Sequence, residues 1–345
     1  MSDRIEKLQQ ALEEPLLVTA PANVRYLTGF SSSNAALLVE AGGVTLFTDF
    51  RYAEAARQVP DVEFIETPRD TIDHIAAVLT GRFGFESTHL TYRRYEILRD
   101  GGLDLVPRVG LVERLRIVKD DGEQDRIRRA AAITDEAYER LAEEPFVGRT
   151  ERELAWRMNE LFHELGADEP AFETIVAAGA NGARPHADAG DRVIEENTTI
   201  VIDAGAAVDG YCSDCTRTFA TGDLPGELRR AYDVCLDAQL KGLEAARPGM
   251  DARATDAAAR DVIAGAGFGK KFGHGLGHGV GIDVHEAPRL AQTSDDTLAP
   301  GNVVTIEPGI YLEGMGGIRI EDLVIVTDGE PEVLSSFPKE LVTVS

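Results

Sequence analysis

Three apolar runs of this 345-residue chain each end in, or are interrupted by, a carboxylate. Ile200-Val201-Ile202 leads into Asp203, Val303-Val304-Thr305-Ile306 into Glu307, and Ile318-Arg319-Ile320 into Glu321. A carboxylate buried without compensation costs several kcal/mol, because water no longer solvates its charge. Where several converge they also repel one another, and each then binds a proton more tightly than usual. Such a chain folds around something positive, or around a dense set of hydrogen-bond donors.

Four stretches concentrate groups that meet this need. The first joins Ile202-Asp203-Ala204-Gly205 to Ser213-Asp214-Cys215-Thr216-Arg217-Thr218. The second is Phe272-Gly273-His274-Gly275-Leu276-Gly277-His278-Gly279-Val280-Gly281, continuing to His285-Glu286. The others are Thr305-Ile306-Glu307-Pro308-Gly309-Ile310-Tyr311 and Gly317-Ile318-Arg319-Ile320-Glu321-Asp322. Two divalent cations balance the four negative charges of Asp203, Asp214, Glu307 and Glu321, and neutral His278 adds a nitrogen donor. Mixed carboxylate and imidazole ligands suit Mn2+, Fe2+, Co2+ or Zn2+ better than Ca2+. Two such ions about 3.5 Å apart share a water, lower its pKa and clamp a carbonyl oxygen. Glycines around His274 and His278 let backbone and substrate approach closely, at an entropic cost that needs a reason.

Each piece alone has a plainer reading. An isolated Asp-x-Gly is a turn and an isolated Glu-Pro a strand end. His186, after Arg184-Pro185, reads by itself as a loop residue. The glycine-histidine run lacks the Lys and Ser/Thr of a phosphate-cradling loop. Yet four of the seven histidines, His186, His274, His278 and His285, fall in or near these stretches.

Composition narrows the classes. Sixty acidic residues against 35 basic ones leave a net charge of −25, which disfavours nucleic acid as a partner. The acid excess reads as a surface adapted to high salt, the plainer alternative being an ordinary acidic cytoplasmic protein. No apolar run is long enough to span a bilayer, and the first residues lack a signal-peptide pattern, so a cytoplasmic protein without a membrane partner is expected. Three cysteines make no disulfide framework. Cys212 and Cys215 match C-x-x-C, but a single strand over 208–219 would point them to opposite faces.

The length suits two domains. Strand-like segments at 15–20, 82–86 and 103–106, a hairpin of 35–40 and 44–49 around Gly42-Gly43, and helical spacing at 52–59 and 72–79 predict an α/β first domain, 1–117. The second, 118–345, opens with an amphipathic helix over 121–141. A helix follows the capping box Thr150-Glu151-Arg152-Glu153, and two more are predicted at 226–246 and 251–266. Strands are expected at 199–203, 208–219, 303–307 and 317–326.

The order Asp203, Asp214, His278, Glu307, Glu321, separated by 11, 64, 29 and 14 residues, closely resembles the pita-bread metallopeptidases, which include methionine aminopeptidase, aminopeptidase P, prolidase and creatinase. Asn23-Val24-Arg25-Tyr26-Leu27-Thr28-Gly29-Phe30 and Thr48-Asp49-Phe50-Arg51-Tyr52 look like the amino-terminal domain of the creatinase, aminopeptidase P and prolidase branch. The resemblance implies an α/β (α+β) chain: a small creatinase-like domain followed by a pita-bread catalytic domain. It implies two divalent ions per subunit, Mn2+ or Co2+ before Zn2+ or Fe2+, with Asp203 chelating one, Asp214 and Glu321 bridging both, and His278 and Glu307 on the other. It gives His186 and His285 the handling of a substrate carbonyl or a proton, and Glu307 a second role as proton acceptor. His274, Arg289 and Arg319 become substrate-binding candidates, Arg289 for a dipeptide carboxylate. The implied reaction is attack of a metal-bridging hydroxide on an Xaa-Pro bond. A dipeptidase acting on proline-containing peptides is favoured, with aminopeptidase P as the alternative, and a homodimer is expected. A non-catalytic domain of the same fold has no electrostatic reason to keep five ligand positions.

Overall fold

The computed structural model describes residues 3–345, which form two compact units divided between Arg116 and Ile117. The first is one mixed sheet with flanking helices. Its strands are β1 (Leu16–Val18), β2 (Ala35–Glu40), β3 (Gly43–Asp49), β4 (Glu63–Thr67), β5 (Gly81–Glu86) and β6 (Leu103–Arg108), in the order β4-β3-β2-β1-β5-β6. Its helices are α1 (Asp3–Gln10), α2 (Pro21–Thr28), α3 (Ala53–Ala56), α4 (Thr71–Val78), α5 (Tyr92–Asp100) and α6 (Glu113–Arg116). Leu17, Ala36, Leu38, Phe47, Ile75, Phe83 and Leu98 fill its core. Helices α1, α2 and α5 and strand β4 were not predicted: they are short, and α5 carries seven polar residues among nine. The helix expected over 52–59 is only the single turn α3.

The second unit opens with α7 (Asp121–Ala142) and α8 (Glu151–Glu164). Each starts with a capping box, Asp120 with Glu123 and Thr150 with Glu153, which satisfies backbone N–H groups that a helix start leaves bare. The strands that follow are β7 (Glu169–Pro170), β8 (Ile175–Ala178), β9 (Thr199–Ala204), β10 (Ala206–Val208), β11 (Tyr211–Cys212) and β12 (Cys215–Ala220). After α9 (Gly226–Ala245) and α10 (Ala252–Gly265) come β13 (Gly277–Gly279), β14 (Glu286–Leu290), β15 (Val303–Ile306), β16 (Gly309–Leu312), β17 (Gly316–Arg319), β18 (Asp322–Ile325) and β19 (Glu332–Val333).

Two helix pairs cover two antiparallel sheets. Helices α7 and α8 bury Tyr138, Leu141, Leu154, Met158 and Phe162 with Ile200, Ile202 and Phe219 of the β12-β9-β8 sheet. Helices α9 and α10 bury Tyr232, Ala259 and Ile263 with Val304, Ile306 and Val324 of the β14-β13-β15-β18-β19 sheet. The Tyr138 hydroxyl lies 2.9 Å from Ile202 O and 2.8 Å from Cys215 O, pinning β9 and β12 side by side.

Two expected strands are broken. The run 208–219 turns back at Asp209-Gly210, both at positive φ, so Val208 pairs with Tyr211; it then leaves the ladder at Ser213-Asp214. An Asp-Gly between alternating residues signals a two-residue hairpin, and that signal was present in the sequence. The run 317–326 breaks at Ile320-Glu321, where β17 pairs with β16 but β18 pairs with β15. The cysteine pair dissolves accordingly: Cys212 Sγ reaches Ile282 O at 3.5 Å and Cys215 Sγ reaches Glu321 O at 3.6 Å.

Gly205 makes the first of these breaks possible, because a Cβ there would lie 2.0 Å from Ser213 O. Gly205→Ala should therefore destabilise the protein by about 3 kcal/mol, the upper range for overpacking. Gly226→Ala, at a helix start with nothing within 4 Å, should change stability by less than about 0.5 kcal/mol. Denaturant midpoints of the two variants check the contrast; equal midpoints would show that the Gly205 contact is relieved cheaply.

Candidate metal centre

The strand breaks carry the acids. Asp203 lies in β9; Asp214 fills the gap before β12, Glu307 the gap between β15 and β16, and Glu321 the gap between β17 and β18. At such points the backbone changes partners, so a side chain can turn out of the sheet's alternation. His278 is the central residue of β13. Ligand atoms of Asp214, His278 and Glu321 lie within 4.8 Å of one another. His278 Nε2 is 3.7 Å from Asp214 Oδ2 and 3.4 Å from Glu307 Oε1. Asp203 is joined to the group through Arg319, whose Nη2 donates to Asp203 Oδ2 at 2.7 Å.

Electrostatics mark the cluster as incomplete on its own. Burial, then the charges of Glu321, Asp203 and Glu307, push the Asp214 carboxyl well above the carboxylate range. Burial likewise raises Glu321 strongly, aided by Glu307 and Asp203, and raises Glu307 to about 8. Asp203 Oδ1 is buried and accepts no hydrogen bond from the described residues. His278 is held down to about 4 mainly by burial, so its ring is neutral. Its Nδ1 lies 3.0 Å from Gly279 O, a carbonyl that can only accept, which leaves the Nε2 lone pair facing the carboxylates. An orphaned carboxylate oxygen, a neutral imidazole with its lone pair turned inward and three proton-hungry acids fit divalent cations.

Around this group the expected residues separate. His274 is neutral, held down to about 4 by burial and then by Arg319. Its Nδ1 lies 2.8 Å from Gly275 O and its Nε2 2.9 Å from the Tyr311 hydroxyl. Arg319, expected at the substrate, is sealed instead: besides Asp203 it donates to Thr216 Oγ1 at 3.0 Å, Tyr311 Oη at 3.0 Å and Pro185 O at 3.2 Å. A guanidinium with its donors spent on the protein orients an acid rather than a ligand. His285 is exposed, its ring 4.3 Å from that of His278, and desolvation, with His186 and Arg289 nearby, lowers its pKa against the opposing charge of Asp203. His186 is exposed, close enough to His274 and His285 to perturb both. Arg289 is exposed on β14 directly opposite His278, and cross-strand partners project from the same face.

Tyr311 and Thr216 join the site without a role expected from sequence. Thr216 pairs with Asp203 across β12 and β9, and its hydroxyl donates to Glu321 Oε2 at 2.7 Å. Cross-strand pairing puts Thr216 on the face of Asp203, and that pairing is not written in any local pattern.

The sign of these shifts yields a test. A carboxyl such as Glu307, raised to about 8 when folded, stabilises below its unfolded value and loses that contribution as pH rises through 8. Histidines with lowered values are neutral in both states above about pH 6.5, so they drop out of that range. Chelated protein should therefore lose melting temperature from about pH 6.5 to about pH 9, and reloading with divalent ions should flatten the curve. Parallel curves for chelated and reloaded protein would mean that cations do not neutralise this cluster.

Residues 125–328 match the family model described as Metallopeptidase family M24, and residues 4–118 that of the Creatinase/Prolidase N-terminal domain. An Xaa-Pro dipeptidase of Pyrococcus furiosus is 36% identical, covering 99% of this chain and 100% of its own. The solved structure of an Xaa-Pro dipeptidase from Bacillus anthracis superposes with a TM-score of 0.95 at 37% identity, over 99% of each chain. That of an X-Pro aminopeptidase from Thermotoga maritima gives 0.90 at 33% identity, over 99% of this chain and 100% of that one. With more than half its length inside the M24 model and relatives above 30% identity from end to end, the chain belongs to metallopeptidase family M24.

Proposed function

We propose that this protein hydrolyses Xaa-Pro dipeptides, with Asp203, Asp214, His278, Glu307 and Glu321 holding two divalent ions. The observation that carries the reading is the convergence of Asp214, His278 and Glu321 within 4.8 Å, in a chain 36% identical to an Xaa-Pro dipeptidase. Bound ions supply Lewis acidity, lowering the pKa of water and drawing charge from a carbonyl oxygen. Mn2+ or Co2+ is the ion we expect from the oxygen-rich donor set, and reloading chelated protein with each, alongside Zn2+ and Fe2+, ranks them by activity.

The protein's own groups supply the rest. Glu307, beside His278, takes the proton released by the attacking water at its carboxylate. His285 and His186, exposed at the rim, donate to the scissile carbonyl or to the departing proline nitrogen. His274 forms a neutral wall, held by Tyr311, while Arg319 keeps Asp203 in place. Arg289, on the face of His278, pairs with the free carboxylate of a dipeptide. Aminopeptidase P is the second reading, favoured by the close superposition of the Thermotoga maritima enzyme.

Asp214→Ala or Glu321→Ala should each lower activity by more than about a hundredfold and reduce bound metal, since even outer-shell changes cost 10–100-fold. Wild-type activity with full metal in either variant would sink the ligand set.

Arg289→Ala separates the two substrate classes. A charge-assisted pair worth about 1.5–3 kcal/mol predicts a roughly ten- to hundredfold loss of kcat/KM on an Xaa-Pro dipeptide. A tetrapeptide, whose carboxylate lies elsewhere, should be far less affected. Equal losses on both would make Arg289 a structural residue, and a wild type that prefers the tetrapeptide would favour aminopeptidase P.

A further inference from the structure

Between β8 and β9 the chain leaves the sheet through a 3-10 turn, Gly179–Ala183, and bridges Thr150 at Val193 before rejoining the sheet at Thr199, with His186 midway between the turn and the bridge. One buried side chain holds both feet of this loop. Glu151, the first residue of α8, accepts Ala178 N at 2.8 Å and the Asn181 amide at 3.0 Å on Oε1. Its Oε2 accepts the same amide at 2.9 Å and Gly190 N at 3.1 Å. The Arg192 guanidinium is 4.0 Å away and half exposed, so its charge is screened by water. Capping α8 does not require this carboxylate, because Thr150 and Glu153 already close the capping box. A buried acid compensated chiefly by neutral donors has its use in what those donors belong to.

Asn181 passes the restraint onward. Its amide also reaches Asp188 O at 3.3 Å, and its side-chain oxygen accepts from the Arg184 guanidinium. A second hold comes from the metal side, where Arg319 joins Asp203 to Pro185 O, the carbonyl immediately before His186. The turn also lies directly on β17: a Cβ on Gly317 would meet Gly182 O at 1.9 Å.

We propose that Glu151 is a positioning residue, fixing this loop so that His186 stands at the metal centre. The catalytic part of this rests on the peptidase reading above. A displacement of about 1 Å in such a group can cost on the order of a hundredfold in rate.

Glu151→Gln keeps the volume but sets an amide N–H against a backbone N–H. Metal content should stay at the wild-type level, and kcat on an Xaa-Pro dipeptide should fall about ten- to hundredfold, with KM changed less than about threefold. Amide exchange should quicken within residues 178–190 and not elsewhere in the second unit. In a His186→Ala background the same substitution should cost less than about twofold, because the group it positions is gone. Equal kcat losses in both backgrounds, or exchange that rises throughout the unit, would overturn the proposal. If Glu151→Gln does not fold, Asn181→Ser removes one spoke of the same wheel and enters the same cycle with the same expectations. A fully metallated wild type inert on every Xaa-Pro peptide would refute the peptidase reading, while the exchange pattern still decides whether Glu151 holds the loop.

Discussion

Mutual repulsion among Asp203, Asp214, Glu307 and Glu321 is the constraint around which the second unit is arranged. Placing several anions in one low-dielectric cleft opposes folding through desolvation and through like charge at once. Arg319 relieves part of it at Asp203, and Thr216 donates to Glu321. The remaining negative charge is what gives the site its affinity for divalent cations. A fully compensated cluster would be more stable as an empty site and poorer as a metal site.

The surrounding fold supplies rigidity where the acids cannot. Two helix pairs each back one sheet, and the acids sit at the strand breaks between them or, for Asp203, on the paired strand. Behind Glu321 lies a second buried charge system. Arg217 binds the Glu321 carbonyl and donates to Asp322 Oδ1 at 2.9 Å, and Asp322 Oδ2 takes Lys339 at 2.6 Å and Gln239 at 2.8 Å. Every nitrogen of Arg217 and both oxygens of Asp322 find protein partners, so the pair fixes the Glu321 backbone without competing for the cations.

This division explains what the sequence made legible. An apolar stripe marks α7 and a capping box marks α8, and the ends of α7, α9 and α10 and the start of α8 fall within about two residues of expectation. The five acid and histidine positions stand out because burial makes their cost visible against apolar neighbours. The broken strands did not stand out: a run of alternating residues looks continuous whether its partner changes midway or not. Asp209-Gly210 is the exception, a two-residue hairpin signal inside such a run. Tyr311, Thr216 and the sealed state of Arg319 depend on which strands meet in space, from residue 185 to residue 319, and no local pattern encodes that.

The same reasoning locates substrate choice. Specificity is a difference of affinities, and a metal centre that attacks a carbonyl contributes equally to dipeptide and longer substrates. Discrimination therefore falls to groups that meet the substrate beyond the scissile bond. In the function proposed above that group is Arg289, exposed on β14 opposite His278. Exposed side chains are held by few contacts, so their placement has to come from elsewhere: β14 carries Arg289 opposite His278, and Arg319 reaches Pro185 beside His186. The buried centre thus does two tasks with one set of bonds, since the arginine that steadies Asp203 also steadies the loop that carries His186.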